Sequence, residues 1–409
     1  MTGSSILDFF REAPWLTRRR LVAYPRLFLA VYVVSALAWI LRSKGLIDPA
    51  GHPIGADFLA PWAASWLALH GNPAASYDVP HLWAAERLAV GYPSVGFVGF
   101  PYPPMWLLTL LLLGLLPYAW SLLIWTVATF AAYLAVMWKI EPKRDSLWLA
   151  IAFPGALVNL INGQNGFFTL ALLGGGLLTL ERRPILAGVM FGLMSYKPQY
   201  GILIPIFLLA TGRWRTIAAA SVTVLILAAL SFAIFGEQTW QGFFSSFAFT
   251  GRVVLEQGGI GFDKMQSAFG AARLWGFSVA TAYGFQSAVS LIAALVVIRI
   301  WRRTAEFDLH AAALATGALL ITPYMMDYDL VVLALPIAWL ALEGRRSGFL
   351  PWEKSILAFS WFLPLFARSL AGHAMTPIAP LAMLLLLADI ARRAALSPAI
   401  VSPSLEGRG

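Results

Sequence analysis

The chain has 409 residues, 59% of them hydrophobic and 12% charged, against about 25% charged in soluble globular domains; it reads as an integral membrane protein. Its formal charge of +9 does not mark a nucleic-acid partner, because the 29 Lys and Arg fall in twos and threes at the ends of apolar runs, where they orient the chain and meet anionic lipid. The absence of cysteine excludes disulfides and thiolate metal sites, and no glycine-rich phosphate loop sits between a strand and a helix to hold a nucleotide.

Arg18, Arg19, Arg20 and Arg26 precede an apolar run containing Ala36-Leu37-Ala38. The pattern superficially resembles a signal peptide with its cleavage site, but it is read as an uncleaved first transmembrane helix, over 26–44. Apolar runs then predict spans at 118–138, 147–161, 165–180, 184–196, 198–211, 216–236, 283–299, 309–322, 328–342, 353–367 and 374–391. The fold class is therefore an all-α polytopic membrane protein with about 12 transmembrane helices. Met105 to Leu116 is read as a half-length or re-entrant element ending at Pro117; a full crossing there makes 13. Residues 1–25 are expected to be a cytoplasmic N-terminal segment, 26–393 a single membrane domain, and 394–409 a disordered cytoplasmic tail.

Basic residues settle the sidedness. Lys139, Lys143 and Arg144; Arg182 and Arg183; Arg213 and Arg215; Arg299, Arg302 and Arg303; Arg345 and Arg346; and Arg392 and Arg393 fall in alternate connections, which the positive-inside rule places in the cytoplasm with both termini. Two long connections, 45–102 and 237–283, then lie on the extracytoplasmic face, without the length or pattern of separate domains. Each carries aromatic residues at helical spacing (Phe58, Trp62, Trp66 and Leu69; Trp240, Phe243, Phe244, Phe247 and Phe249) and is expected to lie along the membrane as interfacial helices.

The outward connections hold the polar residues that invite chemistry. Asp57 opens the first loop beside apolar walls, where a carboxylate can take a proton from an attacking hydroxyl; it also immediately precedes a helical pattern and would serve as an N-cap. Asn162, Gln164 and Asn165 interrupt two apolar runs with three amides, able to bind sugar hydroxyls or to cap helix ends. Lys197 stands at a seam between two apolar runs, beside Tyr196, Pro198 and Gln199. A lysine at that depth costs about 2.5–3.5 kcal/mol on insertion scales, so it marks a candidate phosphate site, the bland alternative being snorkelling to the headgroups. Tyr324, Asp327, Tyr328 and Asp329 crowd another outward break, where they can select a sugar acceptor, hold a divalent ion or cap the next helix. Arg252, Lys264, Arg368 and His373 are secondary candidates for phosphate or acceptor contacts. No metal or other cofactor is firmly implied: five histidines include no H-x-x-x-H pair, and two acids on one loop are a weak metal signal.

One acid and one cation suit glycosyl transfer from a lipid phosphate. The phosphate leaves without a proton, whereas hydrolysis of an ordinary glycoside needs a second carboxyl group to protonate its leaving alcohol. A lipid-linked sugar flippase or other transporter is the alternative, but no internal repeat is visible and the polar groups cluster toward one face. A membrane scaffold is a third reading, under which Asp57 and Lys197 would each be dispensable.

The order of Asp57, Gly71-Asn72-Pro73-Ala74-Ala75-Ser76-Tyr77-Asp78, Tyr102-Pro103-Pro104, Gly163-Gln164-Asn165 and Ala187-Gly188 before Lys197-Pro198-Gln199 resembles glycosyltransferase family 87 over most of 26–342. The resemblance implies a GT-C fold, an inverting reaction, and a polyprenyl-phosphate sugar donor, mannose at family level. It also implies Asp57 as general base; the acceptor is expected to be a glycolipid or glycan, and the site to face the periplasm or exterior from a bacterial inner (plasma) membrane. The mycobacterial members carry a histidine pair in a tryptophan-rich loop where this chain has Pro323 to Asp329, so its donor or acceptor is expected to differ from theirs.

Overall fold

A computed structural model describes residues 3–397; most of the C-terminal tail, 398–409, lies outside the described residues. Twenty α-helices and no strands are found among them. A ten-residue helix, α1 (Gly3–Glu12), occupies the segment 1–25, and Thr17 caps the next, α2 (Arg18–Arg42), by accepting the Arg20 N–H. The first long connection folds into α3 (Ala56–Leu69) and α4 (Val79–Val90). The apolar stretch after it forms α5 (Met105–Leu110), continued by a 3₁₀ turn, Leu111–Leu115. At 1.5–2.0 Å per residue these eleven residues rise under about 20 Å, well short of a hydrocarbon core of about 30 Å. Gly114 fixes the element against α3, since a Cβ there would lie 2.7 Å from the Ser65 carbonyl carbon.

Then follow α6 (Tyr118–Ile140), α7 (Arg144–Ile151), α8 (Pro154–Asn162), α9 (Gly166–Thr179), α10 (Pro184–Leu193), α11 (Pro198–Gly201), α12 (Leu203–Ala210) and α13 (Trp214–Phe235). The second long connection contributes α14 (Glu237–Thr250), a π turn over Gly251–Glu256, and α15 (Ala268–Leu274); the chain ends with α16 (Val279–Arg303), α17 (Phe307–Leu320), α18 (Ala334–Ser347), α19 (Glu353–Ala374) and α20 (Ala379–Leu396).

Five helices (α2, α6, α13, α16 and α19) are long and apolar enough to cross a membrane, and six if α7 and α8, bent by 48° at their junction, count as one. Among the described residues five or six helices, not twelve, meet that measure of length and composition. The predicted run 147–161 breaks because Pro154 has no N–H to continue the preceding helix yet fits the first turn of a new one; Pro198 does the same after Lys197. The lipid-facing character of the long helices is plain in α13, where Val222, Leu225, Ile226 and Leu230 are exposed. Its other side packs closely on α10: Gly188 and Gly192, four apart on α10, sit where a Cβ would meet the Thr216 and Ala220 carbonyls, the small-xxx-small contact of membrane helices. The core is α17, buried along its whole length after Phe307 except at His310, where runs of alanine let neighbouring helices approach.

The two predicted interfacial aromatic faces separate. Phe244, Phe247 and Phe249 of α14 are exposed, but Phe58 and Trp62 of α3 are buried and pack on Tyr118 and Trp125 of α6, at 6.0–6.1 Å between ring centroids. The α3 face is thus protein core, correcting its reading as a membrane surface.

Charge sorts the bundle into two ends. At one, the basic connections are stitched together: Arg18 to Asp145, Arg345 to Glu141, Arg346 to Asp308, Arg213 to Glu181 and Arg393 to Glu353. At the other meet the loops around Asp57, Tyr102, 162–165, Lys197, 263–267, 322–329 and Arg368.

Candidate active site

Asp57 lies in the first turn of α3, whose N-cap is Gly55 in the left-handed region (φ 68°). The cap role expected as its alternative therefore belongs to glycine, leaving the carboxylate half-buried and free for a tertiary partner. That partner is Lys264, 3.4 Å from Asp57 Oδ2 and 207 positions away. Gly163, also left-handed (φ 65°), ends α8 against this turn: a Cβ on it would sit 3.1 Å from the Gly55 Cα and 3.0 Å from the Phe58 Cβ. Two glycines without side chains thus bring the amide break to the start of the Asp57 helix.

The amides divide their work. Asn162 Nδ2 donates to the Val158 carbonyl within its own helix at 2.7 Å, as a capping residue does. Gln164 is buried and accepts the Asn165 N–H. Asn165 Nδ2 donates to the Tyr102 hydroxyl at 2.9 Å, while its Oδ1 is buried without a partner. Asn159, not singled out from sequence, holds the break together: its Nδ2 donates to the Gln164 carbonyl and its Oδ1 accepts the Gly166 N–H at the start of α9.

Tyr102 is itself clamped. Its carbonyl accepts the Tyr77 hydroxyl at 2.8 Å, and α4 holds the segment leading to it through Trp83 Nε1 on the Val95 carbonyl and Glu86 Oε2 on the Val98 N–H. Glu86 is fully buried with Oε1 unpartnered, and burial pushes its carboxyl from 4.5 up to about 8. An acid raised on folding binds its proton more tightly in the native state, so its stabilisation is complete below pH 4.5 and lost as pH rises through about 8. At about 1.4 kcal/mol per unit, the decline is on the order of a few kcal/mol. The melting temperature in detergent is expected to fall between pH 5 and 9, and Glu86→Gln to flatten that fall; equal slopes for the two proteins would show that Glu86 is not the group responsible.

Lys197, the phosphate ligand expected from sequence, is buried and bonded through Nζ to Asp329 Oδ1 at 2.7 Å. Asp329 Oδ2 also accepts the Met326 N–H. Asp327 turns elsewhere: its N–H donates to the Lys264 carbonyl at 3.0 Å and its Oδ2 meets Arg368 at 3.3 Å, so the two acids of this loop serve different cations. Arg368, half-exposed, also pairs at 3.2 Å with Asp263, another residue the local pattern did not mark. Tyr328 stands between the two lysines, with Lys197 Nζ 5.5 Å and Lys264 Nζ 5.2 Å from its ring centre, within cation–π range. Burial, then the negative charges of Asp329 and Asp57, push the neighbouring Tyr324 phenol up. Asp57, Lys264, Tyr328, Lys197 and Asp329 are therefore one connected constellation.

The remaining candidates stand at its margin. Gln199 is half-buried, Arg252 is exposed in the π turn, and His373 is exposed, with Nδ1 on the Ser369 carbonyl. No group of three or more His, Asp or Glu side chains able to hold a metal occurs among the described residues.

A sequence model of glycosyltransferase family 87 matches residues 100–323, more than half of the chain. The chain belongs to glycosyltransferase family 87. No curated protein and no solved structure matches it. The family stretch contains Tyr102, the amide break, Lys197, Arg252 and Lys264. Asp57, Asp327, Asp329 and Arg368 lie outside it and join it only through the contacts above. This family-87 chain is an all-α membrane glycosyltransferase.

Proposed function

We propose that the protein is an inverting transferase with a GT-C fold that moves a sugar, mannose at family level, from a polyprenyl phosphate to a lipid or glycan hydroxyl. The observation that carries this reading is the half-buried Asp57–Lys264 contact at 3.4 Å, which sets a base beside a cation at the polar end of a family-87 chain. Asp57 takes the acceptor proton as the hydroxyl oxygen attacks the anomeric carbon from the face opposite the phosphate. The bond to the phosphate oxygen breaks with its electron pair, and the anion departs toward Lys264 and the half-exposed Arg368. Lys197, sealed against Asp329, acts here by fixing Tyr328 and the 322–329 loop. Asn165 and Tyr102 offer hydrogen bonds to sugar hydroxyls, with Gln164, Gln199, Tyr324 and His373 around them. Under the positive-inside rule the basic end is cytoplasmic and this end periplasmic, in the inner membrane of a bacterium; the short and bent helices then supply the crossings between the five long ones.

Purified protein in liposomes, given radiolabelled polyprenyl-phosphate mannose and a crude lipid extract, is expected to yield a new labelled glycan with inverted anomeric configuration. Transfer from a soluble nucleotide sugar instead, or movement of the labelled donor across the bilayer with no product, would overturn the reading.

A further inference from the structure

At the basic end, a half-open cavity of about 300 Å³ lies between α2 and the bundle. Its walls are apolar: Leu21 and Pro25 of α2, Phe153 at the start of α8, Ala338 of α18, and Leu357 and Trp361 of α19. A void with such walls forfeits dispersion contacts on every side and gives water few partners, whereas an acyl chain fills it. On α18 the lining runs from Ala334 to Arg345, eleven residues and about 16 Å at helical rise. That is about half of a hydrocarbon core, the depth of one leaflet.

The polar groups of this cavity gather at the end away from the candidate active site. Arg20, Arg345 and Lys354 line it against one carboxylate, Glu141, which is already shared by Arg345 and Lys143. Lys354 rests over the Phe349 ring at 5.5 Å with no carboxylate partner among the described residues. Trp15 Nε1 is buried with no acceptor, although Trp15 lines both this cavity and an adjoining groove of about 620 Å³ that Arg19, Arg20 and Thr17 also border. Alongside, Ile6, Leu7, Phe9 and Phe10 of α1 are exposed, as on a helix lying in the headgroup layer. Surplus positive charge, a spare N–H donor and a leaflet-deep apolar slot are the complement of one molecule.

We infer that this cavity is a binding site for an anionic glycerophospholipid, with an acyl chain between α2, α18 and α19 and its phosphate at Arg20, Lys354 and Trp15. The site is separate from the transferase chemistry. Met137, beside the cavity, and Tyr118, whose hydroxyl donates to the Gly55 carbonyl, lie near opposite ends of α6, nineteen residues or about 28 Å apart.

The test is native mass spectrometry of the delipidated full chain, titrated separately with phosphatidylglycerol, phosphatidylcholine and polyprenyl phosphate. One equivalent of phosphatidylglycerol is expected to bind at least tenfold more tightly than phosphatidylcholine. Arg20→Gln with Lys354→Gln is expected to weaken it tenfold or more, and Ala338→Phe, which fills the slot, to do the same. Arg345 is left alone because its removal would leave the buried Glu141 with only Lys143 of its two cations. Should A338F fail to fold, the charge variant carries the test by itself. Unchanged phosphatidylglycerol affinity in the charge variant, or equal affinity for phosphatidylcholine, overturns the site. One-for-one displacement of phosphatidylglycerol by polyprenyl phosphate overturns the choice of ligand and assigns the slot to the donor lipid.

Discussion

Asp57→Asn is expected to lower transfer by about 10³-fold while leaving the protein folded. General-base catalysis contributes roughly 10²–10⁴-fold, and an asparagine of the same shape can no longer accept the proton. Its carbonyl oxygen still faces Lys264 and can accept a hydrogen bond from the ammonium, so that cation is not left without a partner and the stability loss is expected to be small. Initial rates at saturating donor and acceptor, with a melting curve on the same preparation, decide the matter. If Asp57 is the base, kcat carries the loss and donor KM stays nearly constant. Lys264→Gln should divide differently, raising donor KM as well as lowering kcat, because Lys264 faces both the base and the departing phosphate. Near-normal turnover in Asp57→Asn would remove the proposed base and return the residue to a structural role in the first turn of α3.

The long helices were legible because uninterrupted apolar runs leave few alternatives: α6 and α13 fall within two residues of their predicted spans. The bend at Pro154 was not, since proline is as acceptable at the start of a helix as it is disruptive inside one. Helical spacing of Phe58 and Trp62 gave an apolar face but not its cover; α6, and not lipid, lies against it. Site residues were found where a polar side chain interrupts an apolar run, as at Lys197 and Asn165. Their partners were not, because Asp57 to Lys264 and Lys197 to Asp329 are pairings across 207 and 132 positions that no local pattern encodes. Asn159 hides as a lone amide in α8, Asp263 in an unpatterned loop, and Glu86 as one more charge on a surface-like helix. Trp83 and Glu86, one turn apart on α4, were the available sign of a face that grips the Tyr102 segment.

The largest stability effect is expected at Lys197. Its pair with Asp329 is buried on both sides, at 4% and 2% side-chain exposure, and removing one member of a buried pair typically costs about 3–5 kcal/mol because the other is left charged and unpaired. Lys197→Met should therefore lower the melting temperature sharply, and Asp329→Asn nearly as much, although an asparagine oxygen can still accept the Met326 N–H that Asp329 holds at 3.2 Å. Combining K197M with D329N removes both charges, so the double variant should recover most of the lost stability, with a coupling of roughly 2 kcal/mol or more between the two positions. The same four proteins separate the two roles open to this lysine. If Lys197 only anchors the 322–329 loop and the Tyr328 ring, turnover returns with stability in the double variant. If its ammonium turns to the lipid phosphate during the reaction, the double variant is stable but slow, and no repair of the fold restores a cation at that place. The first outcome is expected, because Asp329 already occupies the ammonium at 2.7 Å, whereas Lys264 beside Asp57 and Arg368 beside Asp327 remain more accessible.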